Sequence, residues 1–194
     1  MALSFAKAGV SQIAVGARSS LDGLEQDIKT QCVNPPEFLP IVLDVTDEAS
    51  VSAAATTVRQ KFGKLNVLIN NAGTLGKYAL ITESDPEVWW QVLNTNLRGA
   101  YLITRAFLPL LLDAGEEDKY VINTCSVAAH LTNPTLSAYQ VAKNGLLKFT
   151  TLTNAEYSPQ GVIAFAIHPG NVPTAIMGGP EAIPPHHKHG KPHV

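Results

Sequence analysis

Short apolar runs alternate with longer amphipathic stretches along the chain. Met1 to Ala8 reads as the end of a helix that stops at Gly9, a residue suited to the left-handed conformation of a helix stop. Gln12 to Ala17 predicts a short strand, and Leu21 to Gln31 a helix with a polar face. Pro35, Pro36 and Pro40 predict a loop leading into a strand at Ile41, Val42 and Leu43. Thr46 predicts the N-cap of the next helix, with Asp47 and Glu48 in a first turn where the helix dipole favours anions, and that helix ends near Gly63. Leu65 to Ile69 is continuously apolar and predicts a strand buried on both faces. A long helix starts at Ser84-Asp85-Pro86-Glu87, either through a capping box from Ser84 to Glu87 or with Asp85 as cap and Pro86 as first helical residue. Tyr120 to Ile122 predicts a strand, Leu136 to Glu156 a helix, and Val162 to Ile167 a final strand.

Strand alternating with helix predicts an α/β fold: a doubly wound parallel sheet with right-handed crossovers. Ligands of such sheets bind beyond the carboxyl ends of the strands. That rule points to Arg18, Asp44, Asn70 to Gly73, Ser126 and Pro169-Gly170.

Composition agrees with a buried sheet. The chain has 194 residues, room for one domain, and is 45% hydrophobic but only 15% charged, against about 25% charged for an average globular domain. That balance excludes a disordered chain and favours strands covered on both faces. A net charge of −2 supplies no basic field for nucleic acid. No apolar run approaches the ~18 residues of a membrane span. Met1 to Ala8 also lacks the basic start and apolar stretch of a signal peptide, so a cytoplasmic protein is expected. Cys32 and Cys125 have neither metal-ligand spacing nor a disulfide framework and read as packed thiols. From Pro169 onward the chain changes: six of its 13 prolines and four of its 6 histidines lie there, among them His186, His187, His189 and His193. Histidines so clustered can bind a transition metal, but the segment reads as a low-complexity end, and no metal site is expected.

Tyr139 and Lys143 carry the most chemistry. Four residues apart in a predicted helix, they project from one face. A phenol ionises only near pH 10, and a neighbouring ammonium lowers that value toward the range useful for proton transfer. Ser126 follows the strand at Tyr120 and stands thirteen residues before Tyr139, enough for a loop to bring both hydroxyls to one cleft. Thr124 and Ser126 are both hydroxyl candidates there. Asn70-Asn71-Ala72-Gly73 follows a buried strand, Asn96 lies in the long helix, and Pro169-Gly170-Asn171-Val172-Pro173-Thr174 follows the last strand. Taken singly, Asn96 reads as a polar residue bonding to backbone, and Asn70 and Gly73 as turn chemistry.

As a set and in this order, these motifs resemble the short-chain dehydrogenase/reductase family in its Tyr-x-x-x-Lys form, over the chain up to about Thr174. The resemblance implies a Rossmann-like domain over residues 1–174, followed by a Pro/His-rich tail at 175–194. It implies that Tyr139 is the general acid or base, and that Lys143 lowers its pKa and bonds the nicotinamide ribose. It further implies that Ser126, picked over Thr124 by the family spacing, holds the substrate oxygen, and that Asn96 supports a water-linked proton relay to Lys143. Pro169, Gly170, Val172 and Thr174 would face the nicotinamide, Asp44 and Val45 the adenine, and Asn71, Ala72 and Gly73 the adenosine side of the cleft, with Asn70 structural. Ala17 stands where NAD-preferring enzymes carry a carboxylate, and Arg18 follows it, which favours NADP(H) over NAD(H). The implied partner is a small carbonyl or alcohol, and a homo-oligomer is compatible with the family.

The family pattern opens with a strand and a glycine-rich pyrophosphate loop, and closes with a further strand; this sequence carries neither. Met1 aligns inside the helix after that loop, so the domain reads as truncated at both ends. Without the opening strand, which is central in the 3-2-1-4-5-6 order, its two neighbours either keep unpaired edges or pair with each other. Two functions follow: an NADP(H)-dependent oxidoreductase, or a non-catalytic remnant unable to hold the dinucleotide.

Overall fold

The structure, a computed structural model, describes residues 1–170. Every strand pair is parallel, as the alternation predicts, but the sheet is in two pieces. β1 (Gln12–Ala17) pairs with β2 (Glu37–Val42), and β4 (Lys119–Thr124) lies between β3 (Val67–Asn70) and β5 (Val162–Ile167). The doubly wound α/β fold is present with its parallel strands in two half-sheets, and of the two outcomes expected without the opening strand, β1 and β3 keep unpaired inner edges among the described residues rather than joining. Helix packing explains the outcome. α3 (Glu48–Phe62) packs against β1 and β2, α5 (Gly99–Leu112) packs against β3 and β4, and the two helices pack against each other. Helices about 8–10 Å apart hold the strands beneath them about two strand spacings of ~4.8 Å apart.

One apolar core serves both pieces. Val51, Val58, Leu68, Leu110, Leu111, Val121 and Val162 are buried together, and Ala14, Leu39, Ile41 and Leu43 from the two-stranded piece pack against them. α1 (Ala2–Lys7) and α2 (Asp22–Gln31) pack on each other beside β1, and α1 ends before Gly9 at φ +90°. α4 (Pro86–Leu93) and α6 (Ser137–Tyr157) complete the helices.

Local boundaries moved for physical reasons. Pro40 is inside β2, not in a loop before it. Glu37 and Leu43 donate their N–H groups to Ser11 and Ala17, so with a period of two the even-numbered amides face away from β1, where a proline loses no ladder bond. Asp47, not Thr46, caps α3: its Oδ1 accepts from Ala49 N at 3.0 Å, whereas Thr46 donates from both N and Oγ1 to Asp44. Asp85 caps α4 with Pro86 at the first helical position. β3 starts at Val67 because Leu65 donates its amide to Leu110 O at 3.0 Å instead of entering a ladder. Cys125 is buried and Cys32 half-buried, both as free thiols. Among the described residues no helix is long and apolar enough to cross a membrane.

Candidate active site

Ser126 leaves the end of β4 and caps one short helical turn, Val127–Ala129, by accepting from Ala128 N at 3.2 Å. α6 packs against that turn and against β5, and Asn144 on α6 fastens it by donating to Ala129 O at 3.0 Å. This docking brings Tyr139 and Lys143, one turn apart on α6, to the same strand end as Ser126. The Lys143 ammonium lies 5.6 Å from the centre of the Tyr139 ring and donates to Thr124 O at 2.8 Å.

Burial holds both groups toward their neutral forms. It raises the Tyr139 phenol above its ordinary value; Ser126 draws it back through a hydrogen bond, and Cys125 and Tyr78 oppose ionisation. Burial likewise lowers Lys143 from the usual lysine range. The expected lowering of Tyr139 by Lys143 is thus corrected for this geometry: the ammonium sits over the ring face and is spent on the Thr124 carbonyl, and desolvation of the phenol dominates.

Asn96 sits in a turn of π-helix, Asn94–Arg98, that joins α4 to α5. Its side chain is buried and fully committed: Nδ2 donates to Thr74 O at 2.7 Å and Val92 O at 2.9 Å, and Oδ1 accepts from Thr74 N at 3.3 Å. It therefore fixes the loop after β3, as a polar side chain bonding to backbone. Asn70 is structural in the sheet, donating to Thr104 Oγ1 and Asn123 Oδ1, and Asn123 continues the buried chain to Thr150. Asn71 accepts from Thr124 Oγ1 at 3.0 Å, and Asn71, Ala72 and Gly73 lie exposed along the strand ends.

The two-stranded piece contributes Arg18 and Asp44. Asp44 is held below the usual carboxylate range chiefly by hydrogen bonds from Thr46, with the nearby Arg18 guanidinium adding to the effect. Arg18 itself is exposed. Val45 turns its side chain to α5, where a Cβ on Gly99 would stand 2.8 Å from Val45 Cγ2, so only its main chain is left to face a ligand. Pro169 and Gly170, exposed after β5, complete the rim, with Gly170 at φ +81°. Val172, Thr174 and the histidine cluster lie outside the described residues.

A cavity of about 290 Å³ opens beside Tyr139, lined also by Tyr78, Trp89 and Thr135. None of the three is among the candidates the sequence offers. Trp89 donates Nε1 to Ser137 Oγ at 3.0 Å, and Thr135 accepts from Ala79 N at 3.0 Å. The Thr74 to Asp85 loop, which has no periodicity but carries Tyr78 beside Gly76 and Lys77, was the available signal. A larger groove of about 430 Å³ between α3 and α5 contains none of the residues discussed above as candidates.

A family model described as short chain dehydrogenase matches residues 1–181. The short chain dehydrogenase tazN of Aspergillus terreus is 75% identical over 190 residues, covering 97% of this chain and 41% of the relative. The short chain dehydrogenase pigC of Monascus ruber is 54% identical over 192 residues, covering 97% of this chain and 63% of that protein. The chain thus spans less than two thirds of these relatives' length. Among solved structures, an alcohol dehydrogenase from Thermococcus sibiricus complexed with 5-hydroxy-NADP superposes with a TM-score of 0.80 at 28% identity, over 92% of this chain and 73% of that one.

Proposed function

The chain belongs to the short-chain dehydrogenase family, and from that premise we propose that it transfers a hydride between NADP(H) and a carbonyl or secondary alcohol, with Tyr139 as the acid or base. One observation carries the reading: Ser126, Tyr139 and Lys143 converge at the end of β4, and Tyr139 also lines a cavity of about 290 Å³. The strand ends fit a dinucleotide. Asn71, Ala72 and Gly73 leave an exposed main chain with almost no side chain above it, and Arg18 offers an exposed cation for a 2′-phosphate. The dinucleotide bound in the Thermococcus sibiricus enzyme is of the NADP type, which supports that preference.

When bound, the nicotinamide supplies or accepts the hydride. In reduction, the Tyr139 hydroxyl donates its proton to the substrate oxygen as charge develops there, and the Ser126 hydroxyl donates a hydrogen bond to the same oxygen. Burial keeps Tyr139 protonated and therefore ready as an acid. Lys143, once drawn from Thr124 O, is placed to stabilise the phenolate that remains. In oxidation the same groups act in reverse.

The divided sheet favours a second reading, in which this chain does not hold the dinucleotide: the residues for its adenine end and its nicotinamide end stand on separate half-sheets. NADPH titration followed by fluorescence separates the two. Saturable binding, with carbonyl-dependent NADPH consumption that Tyr139→Phe removes, supports the oxidoreductase; no saturable binding leaves only the second reading standing.

A further inference from the structure

We propose that the ligand taken by the cavity beside Tyr139 is a neutral, flat aromatic or conjugated carbonyl compound, held between Tyr78 and Trp89. This rests on Tyr139 being the group that meets the carbonyl. The two rings are walls of the same cavity as the Tyr139 side chain, and half of the remaining lining is aliphatic, including Leu75, Val88 and Val92.

Both aromatic walls are held in advance of any ligand. Trp89 is half-buried, anchored by its bond to Ser137 Oγ at 3.0 Å and by an edge-to-face contact with Trp90, centres 5.1 Å apart. Tyr78 belongs to a loop, yet that loop is fastened on both sides of the ring. Before it, Gly76 lies against α4 at φ +79°, so close that a Cβ there would stand 2.5 Å from Val92 Cγ2. After it, Ala79 donates to Thr135 O at 3.0 Å. Thr135 makes that bond at φ +71°, the left-handed region that a β-branched residue enters only when its surroundings force it. The surroundings are visible: the Gln140 side chain grips both the amide and the carbonyl of Asn133 two residues earlier. A ring carried on a loop so held loses little backbone freedom on binding. It is nevertheless 62% exposed, which leaves its face free for a partner.

Charge narrows the class further. Among the described residues, Lys77 is the only cation on the cavity wall, and it stands with Glu83 and Asp85. Asp85 is already engaged as the cap of α4. A wall with two carboxylates and one ammonium gathers no phosphate or carboxylate substrate, whereas offset or edge-on contacts with two rings reward a flat π-system beyond the area it buries.

Calorimetric titration of the 194-residue chain with 2-acetylnaphthalene and with its fully saturated analogue, 2-acetyldecalin, tests this. NADP+ is present so that nothing turns over. The naphthyl ketone is expected to bind roughly tenfold tighter. Tyr78→Leu and Trp89→Leu should each bring the two ligands toward equal affinity, and Trp89→Phe should keep most of the preference. Equal affinities in the parent, no measurable binding of either ketone, or a preference that survives both leucine variants overturns the proposal. If Trp89→Leu does not fold, Tyr78→Leu decides alone, since its exposed position spares the core. Because binding is read without turnover, a Tyr139 that proves not to be the acid leaves this result readable.

Discussion

The two half-sheets arise from similar apolar strands and end in different surroundings. In β4 every second residue is buried, with Val121 and Asn123 at 0% exposure, whereas neither β1 nor β2 has a buried residue. The difference lies in the number of neighbours. β4 has a strand on each side and packs against α5 and α6, while β1 and β2 have only each other as strand neighbours. Tyr139, Lys143, Ser126 and Asn96 therefore stand on, or packed against, the firm half, and Arg18 and Asp44 on the thin one. Under the proposed function this places proton chemistry in the three-stranded half and, through Arg18, the choice between dinucleotides in the other.

The sharpest way to break that division is Tyr139→Phe. It should lower carbonyl reduction by about 10²–10⁴-fold, the usual worth of a general acid, and leave NADPH affinity unchanged; stopped-flow turnover set beside a binding titration checks both. If affinity falls as far as turnover, Tyr139 belongs to the binding surface and the division is wrong.

Next in size is the contrast in packing. Leu111, fully buried in α5, should lose about 2–5 kcal/mol on replacement by alanine. Val15→Ala in β1, at a half-buried position, should lose only about 1 kcal/mol. Urea unfolding measures both, and hydrogen exchange should find the β4 amides slowest and those of β1 and β2 fast. Equal costs at the two positions would show one uniformly packed sheet.

What could be read from the sequence follows the same line. β1 and β5 have the limits expected of them, because each is a short run of mainly apolar residues ended by a polar one, Arg18 and His168. The convergence of Ser126, Tyr139 and Lys143 was legible because fixed spacings on a strand end and one helix face leave little choice of geometry. Pro40 was misread because its tolerance depends on which amides face the partner strand, a matter of register that composition does not encode. For Asn96 the sequence foresaw a polar side chain bonding to backbone, but not its partner Thr74, which is defined only when the π-turn meets the loop after β3. Tyr78 and Thr135 were invisible for a related reason. Their positions follow from one backbone bond between two loops, and neither loop has a period.

Arg18 probes the thin half directly. Arg18→Ala should weaken NADPH roughly tenfold, within the range for a charge-assisted contact, while NADH affinity and the maximal rate hold. The NADPH affinity of the parent should also fall with salt more steeply than that of the variant, because an exposed ion contact is screened. An equal loss for both dinucleotides would remove Arg18 from 2′-phosphate recognition and place it among general contacts of the strand end.

The smallest expected effect concerns Lys143, and its sign follows from burial. Desolvation lowers this ammonium from the ordinary 10.5, so between its folded value and 10.5 the unfolded chain binds a proton that the folded chain has shed. Stability from this group therefore rises with pH across that window, and below it the cost of burying the charge is fully present. Lys143→Met should accordingly melt higher than the parent at neutral pH, and the gap should shrink as the pH climbs toward the ordinary lysine value. Tyr139 works in the opposite sense: its phenol is raised above 10.0, so the folded chain keeps the proton longer and loses stability as the pH rises past that point. Tyr139→Phe should remove that alkaline loss, with the loss of the Ser126 bond as a pH-independent offset, which makes its pH dependence the control for Lys143→Met. Melting curves taken from neutral to alkaline pH on the parent and both variants check the pair. A gap between parent and Lys143→Met that stays constant with pH would mean that the ammonium is not buried in solution, and that the firm half is more open at the candidate active site than its strands suggest.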